Sequence, residues 1–254
     1  MKDFVFIILR HVRNAGDDVL WRHSVSKILE KYPDAYIKII DDHSPFEIQN
    51  DHDDVLKSDL KPGIAELLPY YYYHKYKWAK RALIIQDSMF VENKLPDSDS
   101  DCELLWWFPP IDPTWNIDDN IRNQLKYLRH SRELLELFES RYWVGSLGNT
   151  MIISLEFLEH LENKYQFCER LMFTLKSRTD RECLERTIPI MCFNEKNDML
   201  DNINNVNGNL YKWVHEKIAK KDPSITHYWD QFTFSKYKQL DMSDTIISKV
   251  WSNR

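Results

Sequence analysis

Phe4-Val5-Phe6-Ile7-Ile8-Leu9 is the stretch whose reading decides the fold. Six apolar side chains in a row show no polar alternation. A run this short, apolar on both sides, predicts a strand buried on both faces of a sheet. Outward from it, Arg10 to Asp18 is polar, and residues 19–31 place Leu20, Val25, Ile28 and Leu29 on one side of a helix. Pro33-Asp34 ends that helix. Ala35-Tyr36-Ile37-Lys38-Ile39-Ile40 is a second short apolar run, closed by Asp41-Asp42-His43-Ser44-Pro45. Strand, helix and strand in this order form a βαβ unit and predict a parallel sheet.

The pattern continues along the chain. Gly63 to Lys80 reads as a helix, followed by a third apolar run, Ala82-Leu83-Ile84-Ile85, which stops at Gln86-Asp87-Ser88. Leu104 to Phe108 reads as a fourth strand, stopped by Pro109-Pro110. Residues 117–141 read as one charged amphipathic helix, and Tyr142 to Gly148 as a strand and loop. Ser154 to Lys164 is helical, with Ser154 placed to cap it. Further helices are expected over 168–176, 180–193 and Leu210 to Lys221, with a surface loop over Asn194 to Gly208. One domain over 1–254 is expected, with a ligand-binding part over 1–110 and a second part over 111–254.

Composition removes several functions. The net charge is -6 and no long basic block stands out, which disfavours nucleic-acid binding. Five glycines and no G-x-x-x-x-G-K-[ST] pattern argue against a P-loop. The four cysteines include no C-x-x-C pair, so a zinc ribbon is not expected. Reduced thiols and a cytoplasmic location are the expectation. No apolar run approaches the roughly 20 residues of a membrane helix.

The suggestive polar residues sit at the ends of the expected strands. Arg10 ends the first, Asp41 and Asp42 the second, Asp87 the third. Ligands of open α/β sheets bind at the carboxyl ends of strands. Carboxylates there can accept hydrogen bonds from ribose hydroxyls or a base N–H, and can hold a hard divalent ion beside a diphosphate. Each Asp also suits an ordinary turn, because its side chain bonds the local backbone. Trp106, Trp107 and Trp143 read first as core packing, with stacking on a sugar the alternative.

Several stretches resemble the nucleotide-diphospho-sugar transferases of the GT-A fold, and more closely the small glycosyltransferases of large DNA viruses. They are Phe6-Ile-Ile-Leu-Arg-His-Val12, Ile39-Ile-Asp-Asp-His-Ser44, Ala65-Glu-Leu-Leu-Pro-Tyr-Tyr71, Ala82-Leu-Ile-Ile-Gln-Asp-Ser-Met-Phe90 and Trp143-Val-Gly-Ser-Leu-Gly148. Arg181-Glu-Cys-Leu-Glu-Arg186 and Lys249-Val-Trp-Ser-Asn-Arg254 complete the set. The ordered set carries the resemblance, since no single stretch is diagnostic.

The resemblance implies a GT-A-like α/β fold, a UDP- or GDP-linked sugar donor and a glycan or glycoprotein acceptor. It implies Asp41 or Asp42 at the base and ribose, with Arg10 and Arg254 at phosphate or base. It makes Gln86-Asp87-Ser88 the counterpart of a D-x-D metal motif, with Asp87 as ligand to Mn²⁺ or Mg²⁺. Positions 86 and 88 depart from that motif, leaving one carboxylate in the run. His227 is a second candidate ligand. Glu185 is the candidate base, with Glu182 as rival. Lys249 could reach the diphosphate from the tail. Two other readings stay open: transfer of a nucleotidyl group to a sugar phosphate, and a sugar-binding protein of this fold without activity.

Overall fold

The computed structural model describes residues 1–49, 52, 54–110, 117–196, 199, 203 and 206–252. In chain order the elements that build the site are β1 (Lys2–Arg10), α1 (Ala15–Lys31), β2 (Ile37–Asp41), β3 (Val55–Lys57), α2 (Leu68–Tyr76), β4 (Ala79–Gln86), β5 (Met89–Val91), β6 (Cys102–Leu104) and β7 (Trp107–Phe108). They continue with α3 (Asp118–Tyr127), α4 (Ser131–Ser140), β8 (Gly145–Ser146), β9 (Met151–Ser154), α5 (Leu155–Tyr165), α6 (Phe167–Met172), α7 (Arg178–Glu195), α8 (Leu210–Trp213), α9 (Tyr228–Gln231), α10 (Phe234–Tyr237) and β10 (Ile247–Lys249).

Among the described residues the central sheet has six strands in the order β3-β2-β1-β4-β9-β6. The pairs β1–β2, β1–β4 and β2–β3 are parallel, while β9 runs antiparallel to both β4 and β6. The sheet is therefore mostly parallel, as the βαβ reading predicts. The opening stretch explains its burial. Val5, Ile7 and Leu9 point into one core, and Phe6 and Ile8 into the other. Helices α2 to α7 cover the first face, and α1, α8 and the C-terminal elements cover the second. Both faces of β1 are thus removed from water, which a period-2 strand could not survive if one face were polar.

Strand order fixes where a ligand fits. The chain leaves β1 toward β2 on one side and later returns to β4 on the other side. The carboxyl ends of β1 and β4 therefore flank a point where the direction of winding reverses, the usual crevice of such sheets.

Several elements differ from the sequence reading. The helix expected over 117–141 is two helices, because Leu128 turns extended and His130 takes a left-handed backbone with φ 53°. The expected strand over 104–108 divides: β6 joins the main sheet, while β7 pairs with β8. Helix α2 ends at Lys77, whose φ of 49° stops it and frees Ala79 and Lys80 to begin β4. Met151 to Ser154 forms a sheet strand that the sequence reading does not assign. The helix expected to Lys221 is α-helical only to Trp213 and then widens into a π-type turn over Val214–Ala219. Ser154 caps α5 as expected, its hydroxyl accepting from the Phe157 amide at 3.1 Å.

Candidate functional site

The carboxyl ends of β1, β2 and β4 open onto a cavity of about 680 Å³. That volume suits a ligand larger than a single sugar ring. Leu9, Arg10 and His11 come to it from β1, Asp42 and His43 follow β2, and Gln86 and Asp87 end β4. Ala65 and Glu66 reach it ahead of α2, and Leu147 and Gly148 reach it from the turn after β8. Helix α7 and the residues before it supply Lys176, Arg178, Arg181, Glu182 and Glu185. Trp229, Lys249, Trp251 and Ser252 close it from the C-terminal region.

Backbone hydrogen bonds hold the three strand ends together. The Asp42 amide donates to the Arg10 carbonyl at 3.0 Å, and the Asp87 amide donates to the Leu9 carbonyl at 2.9 Å. The His11 amide donates to Asp87 Oδ2 at 3.1 Å. His11 Nδ1 lies 2.6 Å from the Asp42 carbonyl oxygen. Asp42 and Asp87, expected at two separate strand ends, therefore share one wall.

Asp41 and Asp42 part company. Asp41 Oδ2 accepts from Arg10 Nε at 2.7 Å and from the Ser44 hydroxyl at 2.6 Å, while its Oδ1 accepts from the Ser44 amide at 2.9 Å. Arg10 also lies over the Trp21 ring at 4.7 Å. Both members of the Arg10–Asp41 pair are buried. Asp41 does not line the cavity. Of the two aspartates expected at the nucleoside, Asp41 turns inward to a buried pair and Asp42 borders the cavity. Arg10 borders the cavity, but its guanidinium is committed to Asp41 and Trp21.

Glu185 is held by its own helix and by a glycine turn. Gly148 donates its amide to Glu185 Oε1 at 2.7 Å, and Arg186 approaches Oε2 at 3.2 Å. Arg186 is itself anchored over the Phe108 ring at 4.6 Å and to the Glu182 carbonyl at 2.9 Å. Gly148 has φ 63°, a left-handed backbone that favours glycine. Burial pushes the Glu185 carboxyl up to about 7, against the opposing pull of Arg186 and the Gly148 amide. The start of α7 is fixed by a capping box between Ser177 and Asp180, and Asn120 donates to Asp180 at 3.0 Å. Glu182, the rival base, also borders the cavity but pairs with Arg178 at 3.0 Å.

Glu66 lies in the stretch Ala65 to Tyr71, where no role is expected of it, and borders the cavity. It lies inside the helix expected over 63–80, and the structure turns it into the cavity from a short 3₁₀ turn over Ala65–Leu67. Its Oε1 accepts from Gln86 Nε2 at 3.3 Å, and its buried Oε2 has no hydrogen-bond partner. Burial raises its carboxyl above the ordinary range, while Arg181 and Lys249 oppose the rise. That stretch alone assigns Glu66 no place at the cavity, because its position follows from packing.

Lys249 is buried, not a solvated tail. β10 pairs antiparallel with β5, which sets Lys249 opposite Met89, and the Val250 amide donates to the Ser88 carbonyl at 2.9 Å. Tyr228 donates its hydroxyl to the Lys249 carbonyl at 2.7 Å. The ammonium reaches Gln86 Oε1 at 2.5 Å and Ser88 Oγ at 3.3 Å. It thus bridges both residues that flank Asp87.

This arrangement bears on the expected divalent ion. Asp87 contributes the single carboxylate of its run, and its Oδ2 already accepts the His11 amide. Among the described residues no group of three or more His, Cys, Asp or Glu side chains has the arrangement of a metal site. His227, the other expected ligand, does not border the cavity, and its ring sits 3.1 Å from the Thr226 hydroxyl. The same segment carries Trp229 to the cavity. Asp87 is thus the one carboxylate that its run offers a Mn²⁺ or Mg²⁺ ion, with the Lys249 ammonium on the residues either side of it. Arg254 lies outside the described residues.

The aromatic candidates are replaced. Trp106 and Trp143 are core residues, the latter donating to the Phe138 carbonyl at 3.0 Å. Trp107 pairs in β7 away from the cavity lining. Trp229 and Trp251 border the cavity instead. Among the described residues no helix is long and apolar enough to cross a membrane.

No protein-family model matches the chain, and no curated protein matches it. Among solved structures the chain is similar to the galactosyltransferase LgtC in complex with donor and acceptor sugar analogues. The identity is 11% and the TM-score 0.38, over 72% of this chain and 69% of that one. It is also similar to an active-site mutant of LgtC, at 11% identity and a TM-score of 0.34, over 72% of this chain and 68% of that one.

Proposed function

We propose that the chain is a glycosyltransferase that takes a sugar from a nucleoside diphosphate and passes it to a hydroxyl of a glycan or glycoprotein. The observation that carries the reading is the convergence of Asp42, Asp87 and Glu185 on one cavity that Lys249 and Arg181 also line. A cavity lined by both carboxylates and cations suits a ligand with a hydroxyl-rich end and an anionic end. Asp42 accepts from the ribose or base. Lys249, with Arg181 and Lys176 at the rim, meets the diphosphate. Trp229 and Trp251 offer flat faces to a ring.

Glu185 serves the acceptor. Its carboxyl, pushed up to about 7, is poised to take a proton near neutrality. In an inverting reaction the bond from C1 to the diphosphate oxygen breaks with its electron pair leaving on that oxygen. The acceptor oxygen forms the new bond to C1, and its proton passes to Glu185. In a retaining reaction the proton passes to the departing phosphate, and Glu185 positions the acceptor.

The test is to incubate the protein with UDP-, GDP- and dTDP-linked sugars and follow release of the free nucleoside diphosphate. Release from at least one donor, lost in Glu185→Gln, is expected. No release from any donor would leave a sugar-binding protein without activity. Formation of pyrophosphate from a nucleoside triphosphate and a sugar phosphate would mark nucleotidyl transfer instead.

A further inference from the structure

We propose that this site neutralises the departing diphosphate with the Lys249 ammonium in place of a divalent cation. The inference rests on the donor reading above and departs from its metal expectation. Its ground is the geometry around Asp87. The run Gln86-Asp87-Ser88 offers an amide, a carboxylate and a hydroxyl. Lys249 spans the two outer groups, at 2.5 Å from Gln86 Oε1 and 3.3 Å from Ser88 Oγ. Gln86 in turn ties the same network to Glu66 through its amide nitrogen at 3.3 Å.

The ammonium is held there from several directions. Pairing of β10 with β5 sets the register, the Val250 amide fixes the backbone to Ser88, and the Tyr228 hydroxyl holds the Lys249 carbonyl. A cation so fixed before the reaction needs no rearrangement as charge develops on the leaving oxygen. Both roles of a metal are then covered by the chain. Lys249 supplies positive charge at the phosphates and donates hydrogen bonds to them, keeping its proton throughout. Arg181, whose charge is felt at Glu66, faces the same space. A dication at Asp87 that drew on Gln86 or Ser88 would compete with Lys249 for them.

The experiment is calorimetric binding of UDP, GDP and dTDP to the full chain, once in EDTA and once with excess Mn²⁺. At least one nucleotide is expected to bind in EDTA, and excess Mn²⁺ is expected not to strengthen that binding. Lys249→Met is expected to weaken that binding by about tenfold or more in EDTA, the worth of a charged hydrogen bond, with Lys249→Arg restoring part of it. Should the variants not fold, the electron paramagnetic resonance signal of Mn²⁺ decides on the unaltered protein. The six-line spectrum of free Mn²⁺ is expected to persist when protein and nucleotide are added beyond the loss that nucleotide alone causes. Binding that requires Mn²⁺, or protein-dependent loss of that signal, overturns the inference while leaving the donor reading intact. Binding of no nucleotide in either condition overturns the donor reading, and this inference with it.

Discussion

The Gly148 amide donates to the Glu185 carboxylate at 2.7 Å, joining a left-handed turn after β8 to the middle of α7. The contact aims one carboxylate oxygen away from its helix and leaves Arg186 on the other at 3.2 Å. Burial still dominates and carries the carboxyl up to about 7. Turnover limited by this base should therefore rise as pH passes about 7 and level off above it. In Glu185→Gln the rise should vanish and kcat fall by about 10²–10⁴-fold, with nucleotide affinity little changed. A pH profile of kcat checks this.

The same residue predicts a trend in stability. A carboxyl whose folded-state value is raised favours the folded protein while protonated. That contribution is fully present below the ordinary value of 4.5 and is lost as pH climbs through about 7. Glu185→Gln should flatten this part of the curve, so the variant should melt higher than the parent at pH 8 and not at pH 4. Melting curves across that range supply the measurement.

Gly148 should resist substitution. Its φ is 63°, and an added Cβ would lie 3.1 Å from Gln86 Cδ and Nε2 and from Met89 Cε. Gly148→Ala should cost about 1–2 kcal/mol in backbone strain alone. It should also disturb Gln86, hence the network of Glu66 and Lys249. Chemical denaturation reads the first effect, and loss of nucleotide affinity beyond it reads the second.

Asp41 and Asp42 should behave oppositely. Asp41→Ala leaves the buried Arg10 without its carboxylate and should destabilise by about 3–5 kcal/mol. Asp42→Asn removes a charge from the cavity wall and should weaken ligand binding while leaving the ligand-free melting temperature nearly unchanged. Paired melting and binding measurements separate the two.

Why one aspartate is structural was not legible in the chain. The residues at 41 and 42 are identical in type, and what distinguishes them is Arg10 and Trp21 arriving from other elements and Ser44 folding back in the turn that follows. The parallel core was legible, because the run from Phe4 to Leu9 is apolar on both sides. Asp87 and Glu185 were legible as a strand-end and a helix carboxylate. Glu66 was not, since a glutamate inside a helical pattern reads as a surface residue until packing against Gln86 turns it inward. The split of residues 117–141 was hidden for a related reason. His130 breaks the helix by a left-handed backbone that no glycine or proline announces.

The central claim is that this cavity holds a nucleoside diphosphate sugar. A thermal-shift panel of UDP-, GDP- and dTDP-sugars on the parent and on Asp42→Asn tests it most directly. At least one donor should raise the melting temperature of the parent, and the rise should shrink in Asp42→Asn. A panel in which no donor moves the parent, or in which the variant responds as fully as the parent, would contradict it.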